Sequence, residues 1–333
     1  MKTKRIIIFL TLFVIALLCL SSCDTTIDEK TPESKVYHTV TFNFNNGDEI
    51  YSTQVEDGQT VAQPISPERE NYIFNGWKAA GKYWDFSVQR VYSDTAFVAQ
   101  WIDASSIFSY ATNDDGTVTL TAYNGKLAEI RIPEKISGMT VSGIGEGVFE
   151  DFSDETAKII VLPKTVTSIG ARAFRDCTEQ IVIMGEISKL GESAFENASK
   201  LKVITLSDTL SEIPFKAFSS ATALTEITLP KSVTAISEDA FMNCTALRSL
   251  VISSPTLSVG NSAFSGCTSL VTVFYAESQA EWEQILLGVD NGGNGNDHFN
   301  NVKTYYYSES EPESAGDFWY YNDKNEPRCW LVN

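Results

Sequence analysis

Residues 232–252 read SVTAISEDAFMNCTALRSLVI, and the pattern returns as TVTSIGARAFRDCTEQIVI at 165–183 and SVGNSAFSGCTSLVTVFY at 258–275. Aligned on their phenylalanine, the copies place one at 149, 174, 195, 218, 241 and 264, at intervals of 25, 21, 23, 23 and 23. Five residues before each stands Ile144, Ile169, Leu190, Ile213, Ile236 or Val259. Three residues earlier stands Val141, Val166, Ile187, Leu210, Val233 or Thr256. A third column runs Ile160, Ile181, Ile204, Ile227, Leu250 and Val273, and a fourth Leu201, Leu224, Leu247 and Leu270. A period of this length is the signature of a solenoid: each column points inward in every coil, and a coil buries its apolar face only against its neighbours. Gln180 stands where the fourth column expects Leu, and Thr256 weakens the second, so those two coils are expected to be looser.

Cys177, Cys244 and Cys267 each follow a ladder phenylalanine by three residues, in the slot that Ala198 and Ala221 fill elsewhere. A slot shared by Cys and Ala reads as a small buried position. A disulfide between adjacent coils or a thiol-metal site is the alternative, although no C-x-x-C occurs. Cys329 has no obvious partner.

The recurring text resembles the BspA-like leucine-rich repeats of bacterial surface proteins, over about residues 108–306. The resemblance implies a mainly β fold: a right-handed solenoid with a short strand per coil, acting in adhesion or other protein contacts. The repeats proper span 141–275, and residues 103–140 read as an N-terminal cap, with Val118 and Leu120 alternating with Thr after the turn Asn113-Asp114-Asp115-Gly116. Residues 276–333 read as a C-terminal cap and tail. AESQAEWEQILLG (276–288) spaces Trp282, Ile285 and Leu286 as a short helix, and 302–307 (VKTYYY) as a strand. Phe318, Trp319 and Tyr321 are positioned to pair with Cys329-Trp330-Leu331.

Residues 37–102 are a different module. Val40, Phe42 and Phe44 alternate with polar residues before the turn Asn45-Asn46-Gly47-Asp48; Asp57-Gly58 and Asn75-Gly76 predict further turns, and Phe97, Ala99 and Trp101 alternate again. Tyr72, Phe74, Trp77, Trp84 and Phe86 supply the large apolar area a small core needs, or else a platform for sugars. The order VTFNFNNG, VEDGQTV, NYIFNGW, WDFSVQRV, TAFVAQW resembles the internalin B-repeat family, which implies a β-grasp-like fold that spaces or presents other domains. Asn71 stands where that family commonly has Gly; Asn visits positive φ readily enough to keep the same turn.

The N-terminus predicts the compartment. Lys2, Lys4 and Arg5 precede an apolar run from Ile6 to Leu20, broken only by Thr11, which reads as an export signal over residues 1–22. Leu20-Ser21-Ser22-Cys23 resembles the lipobox of bacterial lipoproteins, which implies that Cys23 becomes the lipidated first residue of the mature chain, attached to a membrane through its lipid; an ordinary secretory signal is the alternative. Residues 23–36 continue as an acidic tether. Acidic residues after the Cys resemble the surface-export signals of Bacteroides-type lipoproteins, implying the outer membrane and cell surface of a Gram-negative bacterium. In other bacteria Asp beside the Cys implies inner-membrane retention.

The chain has 333 residues, 43% of them apolar; 25 basic against 43 acidic residues give a formal charge of −18. So acidic a chain lacks the cations nucleic-acid binding needs. Its two histidines, His38 and His298, are far apart, which argues against a His-based zinc site or triad, and no G-x-S-x-G or H-E-x-x-H occurs. The segment from Gly292 to Phe299 matches one unit of a calcium-binding nonapeptide, but one unit supplies only part of an oxygen shell, and an EF-hand reading from Asp290 fails with Gly292 third and Asn301 twelfth. The segment therefore reads as a flexible surface loop, with a calcium site as the alternative. Gly143, Gly145 and Gly147 lack a strand-to-helix phosphate pattern, and Glu146, Glu150, Asp151 and Asp154 read as a solvated face. The expectation is a non-catalytic surface lipoprotein without cofactor or metal. Its solenoid binds a host or bacterial surface protein through exposed residues between the columns, such as Lys202, Thr225, Glu226, Thr228 and Arg248. A glycan-binding accessory lipoprotein of a polysaccharide-uptake system and a structural spacer are the alternatives.

Overall fold

Alternating apolar residues make the first module. In this computed structural model, residues 35–153, 159–255, 257–289, 296, 299, 302–309, 312, 316–322 and 327–329 are described. Strands β1 (Tyr37–Asn43), β2 (Tyr51–Glu56), β3 (Tyr72–Ala79), β4 (Lys82–Tyr83) and β5 (Thr95–Asp103) form one sheet in the order β2-β1-β5-β3-β4. The central pair, β1 and β5, is parallel and the others are antiparallel, a β-grasp-like arrangement. Phe42, Phe74, Trp77 and Phe97 are buried together, and Trp84, Phe86 and Trp101 pack half-buried against them, so the aromatics are core rather than a sugar platform. Asn71 does adopt positive φ, at 68°. Asn75-Gly76 is not a turn: both residues lie inside β3, where the register against β5 shifts between Phe74 and Trp77. Gly76, at φ 89°, permits that bulge without a Cβ penalty.

The module is joined to the solenoid. Ile73 and Ala104 are buried in the solenoid's core cluster, Asn71 Oδ1 accepts the Gly138 N–H at 2.8 Å, and Ser66 Oγ donates to Glu129 at 2.9 Å. The antiparallel hairpin of β6 (Phe108–Thr112) and β7 (Val118–Tyr123) caps the first coil, with β7 pairing in parallel to Met139–Ile144.

All six ladder phenylalanines are fully buried. Their rings stack in sequence at centroid distances of 5.2–5.7 Å with interplanar angles of 2–10°. Burial of each ring contributes roughly 1.5–3 kcal/mol, and the offset stack adds to it. The backbone beside each ring is ordered as tightly. Phe149, Phe174, Phe195, Phe218 and Phe241 each donate their N–H at 2.8 Å to the carbonyl of the Ala preceding the next phenylalanine. The residues two before and two after every ladder phenylalanine are left-handed, from Gly147 and Asp151 to Ser262 and Gly266, with φ between 53° and 75°. Asn, Asp, Ser and Gly dominate these positions because they tolerate that conformation best, and only Arg172 and Lys216 are long side chains there.

Two rows of short parallel strands complete the coils. The first row runs Glu129–Arg131, Ile159–Leu162 and Gln180–Ile183, then resumes as Glu226–Leu229, Ser249–Ile252 and Thr272–Tyr275. The second runs Met139–Ile144, Ser168–Ile169 and Lys189–Leu190, then Glu212–Ile213, Ala235–Ile236 and Ser258–Val259. Both are interrupted at the same coil. In the second row, residues four before the phenylalanine donate to the previous coil, as Gly170, Gly191, Ser237 and Gly260 do at 2.7–2.9 Å. Pro214 occupies that place in the interrupted coil and has no N–H to give Leu190. In the first row, Thr205–Leu206 pairs with Glu186–Ile187, four residues beyond the Val182 that the column predicts.

The shift in the first row begins one coil back. The coil from Phe174 to Phe195 is two residues short, so Gln180 is not a polar intruder in the Leu column: it begins a strand, exposed, while the neighbouring Glu179 is buried. Thr256, the other weak column position, lies outside the described residues.

Helix α1 (Gln279–Val289) replaces the body of the last coil. Ser278 and Glu281 form a capping box, Ser278 N donating to Glu281 Oε2 at 3.0 Å, and Trp282 and Ile285 are buried. Lys303–Tyr307 then pairs in parallel with Thr272–Tyr275, and Phe318–Tyr321 pairs in parallel with it. Phe318–Tyr321 pairs antiparallel with Pro327–Cys329 as an extension of the solenoid sheet; of the expected partners Cys329 stands opposite Trp319, while Pro327 and Arg328 belong to the strand as well. Trp330 and Leu331 lie outside the described residues.

Candidate functional site

The small slots hold what their size allows. Cys177, Cys244 and Cys267 are buried free thiols; Cys244 and Cys267 donate at 3.0 Å to the carbonyls of Phe218 and Phe241 in the preceding coil. Burial pushes the Cys177 thiol up to about 11, and the neighbouring Cys267 thiol together with burial raises Cys244 as well. These are packing positions rather than nucleophiles. Cys329 is half-buried beside Tyr305 and is likewise raised by burial.

Two sequence readings need correction. Glu146 and Glu150 are not simply a solvated face: Arg172 reaches both, and Arg175 bonds Glu150 at 2.6 Å, so alternating charges bridge adjacent coils along the turn row. Asp151 is one of the left-handed turn residues, its N–H donated to the Arg175 carbonyl; Asp154 lies outside the described residues. Of the segment 292–299 the two described residues, Asn296 and Phe299, are buried rather than standing off the surface. Asn296 is buried; its Oδ1 accepts the Phe264 N–H at 2.9 Å and its Nδ2 donates to the Gly260 carbonyl at 2.9 Å. That side chain supplies what the next coil's Ala carbonyl supplies elsewhere. Phe299 is buried and stacks on Phe264 at 4.4 Å, a seventh ring of the ladder. The remainder of the segment, His298 included, lies outside the described residues, as does Asp290. Spacing from Phe264 hid this ring, because α1 intervenes.

The three glycines have packing causes. A Cβ on Gly143 would lie 2.8 Å from Thr119 Oγ1, one on Gly145 would lie 2.5 Å from the Leu120 carbonyl oxygen, and Gly147 is left-handed. His38 bonds Asp57 at 2.8 Å.

Lys202, Thr225, Glu226, Thr228 and Arg248 are all exposed on or beside the first row. Arg248 N donates to the Thr225 carbonyl at 2.8 Å, and Glu226 pairs with Ser249, so the last four share one surface. The outward position of that row does not stay open. Thr228 is followed by Val251, Phe274 and Tyr305, and Trp319 from the tail covers them in a second small core, its Nε1 donating to the Tyr275 carbonyl at 2.8 Å. The tail thus closes the C-terminal end of this face, and the open part narrows to the middle coils.

Sequence reasoning missed a polar cleft of about 550 Å3 where the β6–β7 turn overhangs the second row. Asn113, Asp114 and Asp115 form one wall, Ser142, Thr167 and Ser168 lie along the strands, and Lys189 reaches in from the next coil. The signal was present as the acidic turn and as a hydroxyl seven residues before each of five phenylalanines, at Ser142, Thr167, Ser188, Ser211 and Thr234.

Comparison with known proteins now identifies these parts. Residues 142–271 match the BspA type leucine rich repeat region in six copies, and residues 38–100 match the Listeria-Bacteroides repeat domain. The solenoid is a BspA-type leucine-rich repeat region. Two proteins of Evansella cellulosilytica, provisionally named a Gly-rich membrane protein and a membrane protein, are each 30% identical, over 104 and 108 residues. Those alignments cover 29% and 31% of this chain and 12% and 16% of theirs, so the chain spans well under a fifth of the curated relatives it matches. Among solved structures, a leucine rich cell surface protein of Faecalibacterium prausnitzii is 28% identical over 50% of this chain and 52% of its own, with a TM-score of 0.43. A leucine-rich repeat protein of T. pallidum is 27% identical over 51% and 69%, with a TM-score of 0.35. BspA-type repeat proteins are surface-associated, have protein-binding or structural roles, and are generally not enzymes.

Proposed function

We propose that the chain is a non-catalytic lipoprotein, anchored through a lipid on Cys23 and displayed at the outer surface of a Gram-negative bacterium, whose BspA-type solenoid binds a protein of a host or of another bacterium. Residues 1–34, with Cys23, the signal and most of the tether, lie outside the described residues, so the anchor rests on the sequence pattern alone. The observation that carries the binding role is the open stretch of the first strand row. Thr225, Glu226, Thr228 and Arg248 stand exposed together on a backbone locked by inter-coil hydrogen bonds. A rigid face of this kind loses little conformational entropy when a partner docks.

The test displays the full chain on its own cells beside a variant carrying Thr225→Arg, Thr228→Arg and Arg248→Glu. Protease added to intact cells removes the wild-type chain, and the variant, equally abundant, loses about tenfold or more in adhesion to host-cell matrix or to neighbouring bacteria. Complete protection from protease, or equal adhesion, overturns the reading.

A further inference from the structure

We propose that the cleft beneath the β6–β7 turn is a binding site for a neutral, polyhydroxylated ligand, the end of a saccharide chain. The argument starts from its charges. Asp114 and Asp115 face the same space as Lys189. An anion entering the cleft meets two carboxylates, and a cation meets an ammonium group. A neutral ligand whose every hydroxyl both donates and accepts can satisfy each of them.

Between the charges the lining is built from hydroxyls and an amide, with no aromatic ring, so a ligand gains hydrogen bonds there rather than apolar burial. Several of these groups are held in place and others are unengaged. Asp115 Oδ1 accepts from Thr117 N at 2.9 Å and Thr117 Oγ1 at 2.6 Å; Thr117 Oγ1 lies 2.7 Å from Ser142 Oγ, which Asn113 Nδ2 also meets at 3.2 Å. The turn is thereby tied to the first coil, and the Thr117 hydrogen bonds hold the Asp115 carboxyl below its usual range, so it remains an acceptor. Among the described residues, the side chains of Asp114, Ser168 and Lys189 make no hydrogen bond and no ion pair. A fixed frame carrying unengaged polar groups is pre-organised for a ligand, and about 550 Å3 lies within the ordinary range for small-molecule sites.

The test titrates the full chain in detergent with neutral trisaccharides built from glucose, mannose, xylose or N-acetylglucosamine, read by calorimetry and by ligand-observed NMR. The preferred monosaccharide identifies the class of saccharide bound. At least one is expected to bind. Lys189→Gln and Asp114→Asn each weaken it about tenfold, while Lys231→Gln, exposed elsewhere on the solenoid, does not. Neither cleft side chain makes a hydrogen bond or ion pair, so both variants should keep the wild-type stability to within about 1 kcal/mol. Absence of binding at about 10 mM of every probe, binding indifferent to both cleft substitutions, or a preference for trilysine or triglutamate overturns the proposal.

Discussion

The phenylalanine column and the two strand rows run through the same coils and respond differently to the same irregularity. Between Phe195 and Phe218 the rings remain stacked, at 5.7 Å, and Phe195 still donates to the Ala217 carbonyl, while both strand rows stop. Strand pairing needs an N–H at a given place and a register set residue by residue. A missing donor at Pro214 or a coil two residues short is enough to interrupt it. The ring stack needs apolar volume at one point per coil, and the left-handed residues on either side of each phenylalanine rebuild the same turn whatever the length of the connecting segment. The column is the spine of this solenoid, and the strand rows are its adjustable surface.

The most severe way to test that contrast is to remove a ring. Phe241 lies between Phe218 and Phe264 at 5.2 and 5.3 Å. Phe241→Ala is expected to cost about 3–5 kcal/mol in chemical denaturation, because coils packed on both sides cannot collapse into the cavity. A loss below about 1 kcal/mol would mean the column is not the spine.

The end of the column is the next point of attack. Asn296→Ala leaves the Phe264 N–H and the Gly260 carbonyl buried without partners and should cost about 2–3 kcal/mol. Asn296→Asp keeps the acceptor for Phe264 but sets a buried carboxylate against the Gly260 carbonyl, and should cost at least as much at neutral pH. If both variants melt like the wild type, the ladder does not need its terminal amide.

The thiol slot adds a pH signature. The folded Cys177 pKa is raised from its ordinary 9.0 to about 11 by burial. A raised folded value means that the neutral thiol belongs to the folded state. Its contribution is complete below pH 9 and is lost as the pH rises through about 11, an effect of order 2 kcal/mol. Cys177→Ala, which copies the residue at Ala198 and Ala221, should flatten the decline in melting temperature over that window. An unchanged slope would place the alkaline sensitivity elsewhere.

The mildest change addresses the strand rows. Pro214→Ala returns a donor opposite the Leu190 carbonyl, but also frees the unfolded chain, so stability should shift by less than about 1 kcal/mol. The informative measurement is hydrogen exchange at residue 214. Protection there would show that the missing N–H alone separated the two halves of the second row; fast exchange would assign the interruption to the short coil.

Much of this architecture was readable in advance because a repeat states its rule six times. The columns and the Cys/Ala slot follow from residues recurring at fixed intervals, while the β6–β7 hairpin, α1 and the tail strands follow from local alternation and helical spacing. The candidate site was less readable. Lys202, Thr225, Glu226, Thr228 and Arg248 could be placed between columns, but nothing in their spacing shows Trp319 folding back over Val251 and Phe274. Nor does the acidic turn at 113–116 reveal that Lys189, more than seventy residues on, shares its cleft.

The sequence by itself determined a solenoid, its register and the identity of its buried columns, since coil stacking is a nearest-neighbour problem and each coil carries its own instructions. Only the tertiary structure decided where the pattern ends and what its ends cover. Phe299 joins the stack after a helix has broken the period, Asn296 takes the place of an absent carbonyl, and Gly76 becomes a bulge because β3 continues past it. The reason is common to all three. Each depends on a group supplied from elsewhere in the chain, at a distance in sequence that no repeat interval encodes.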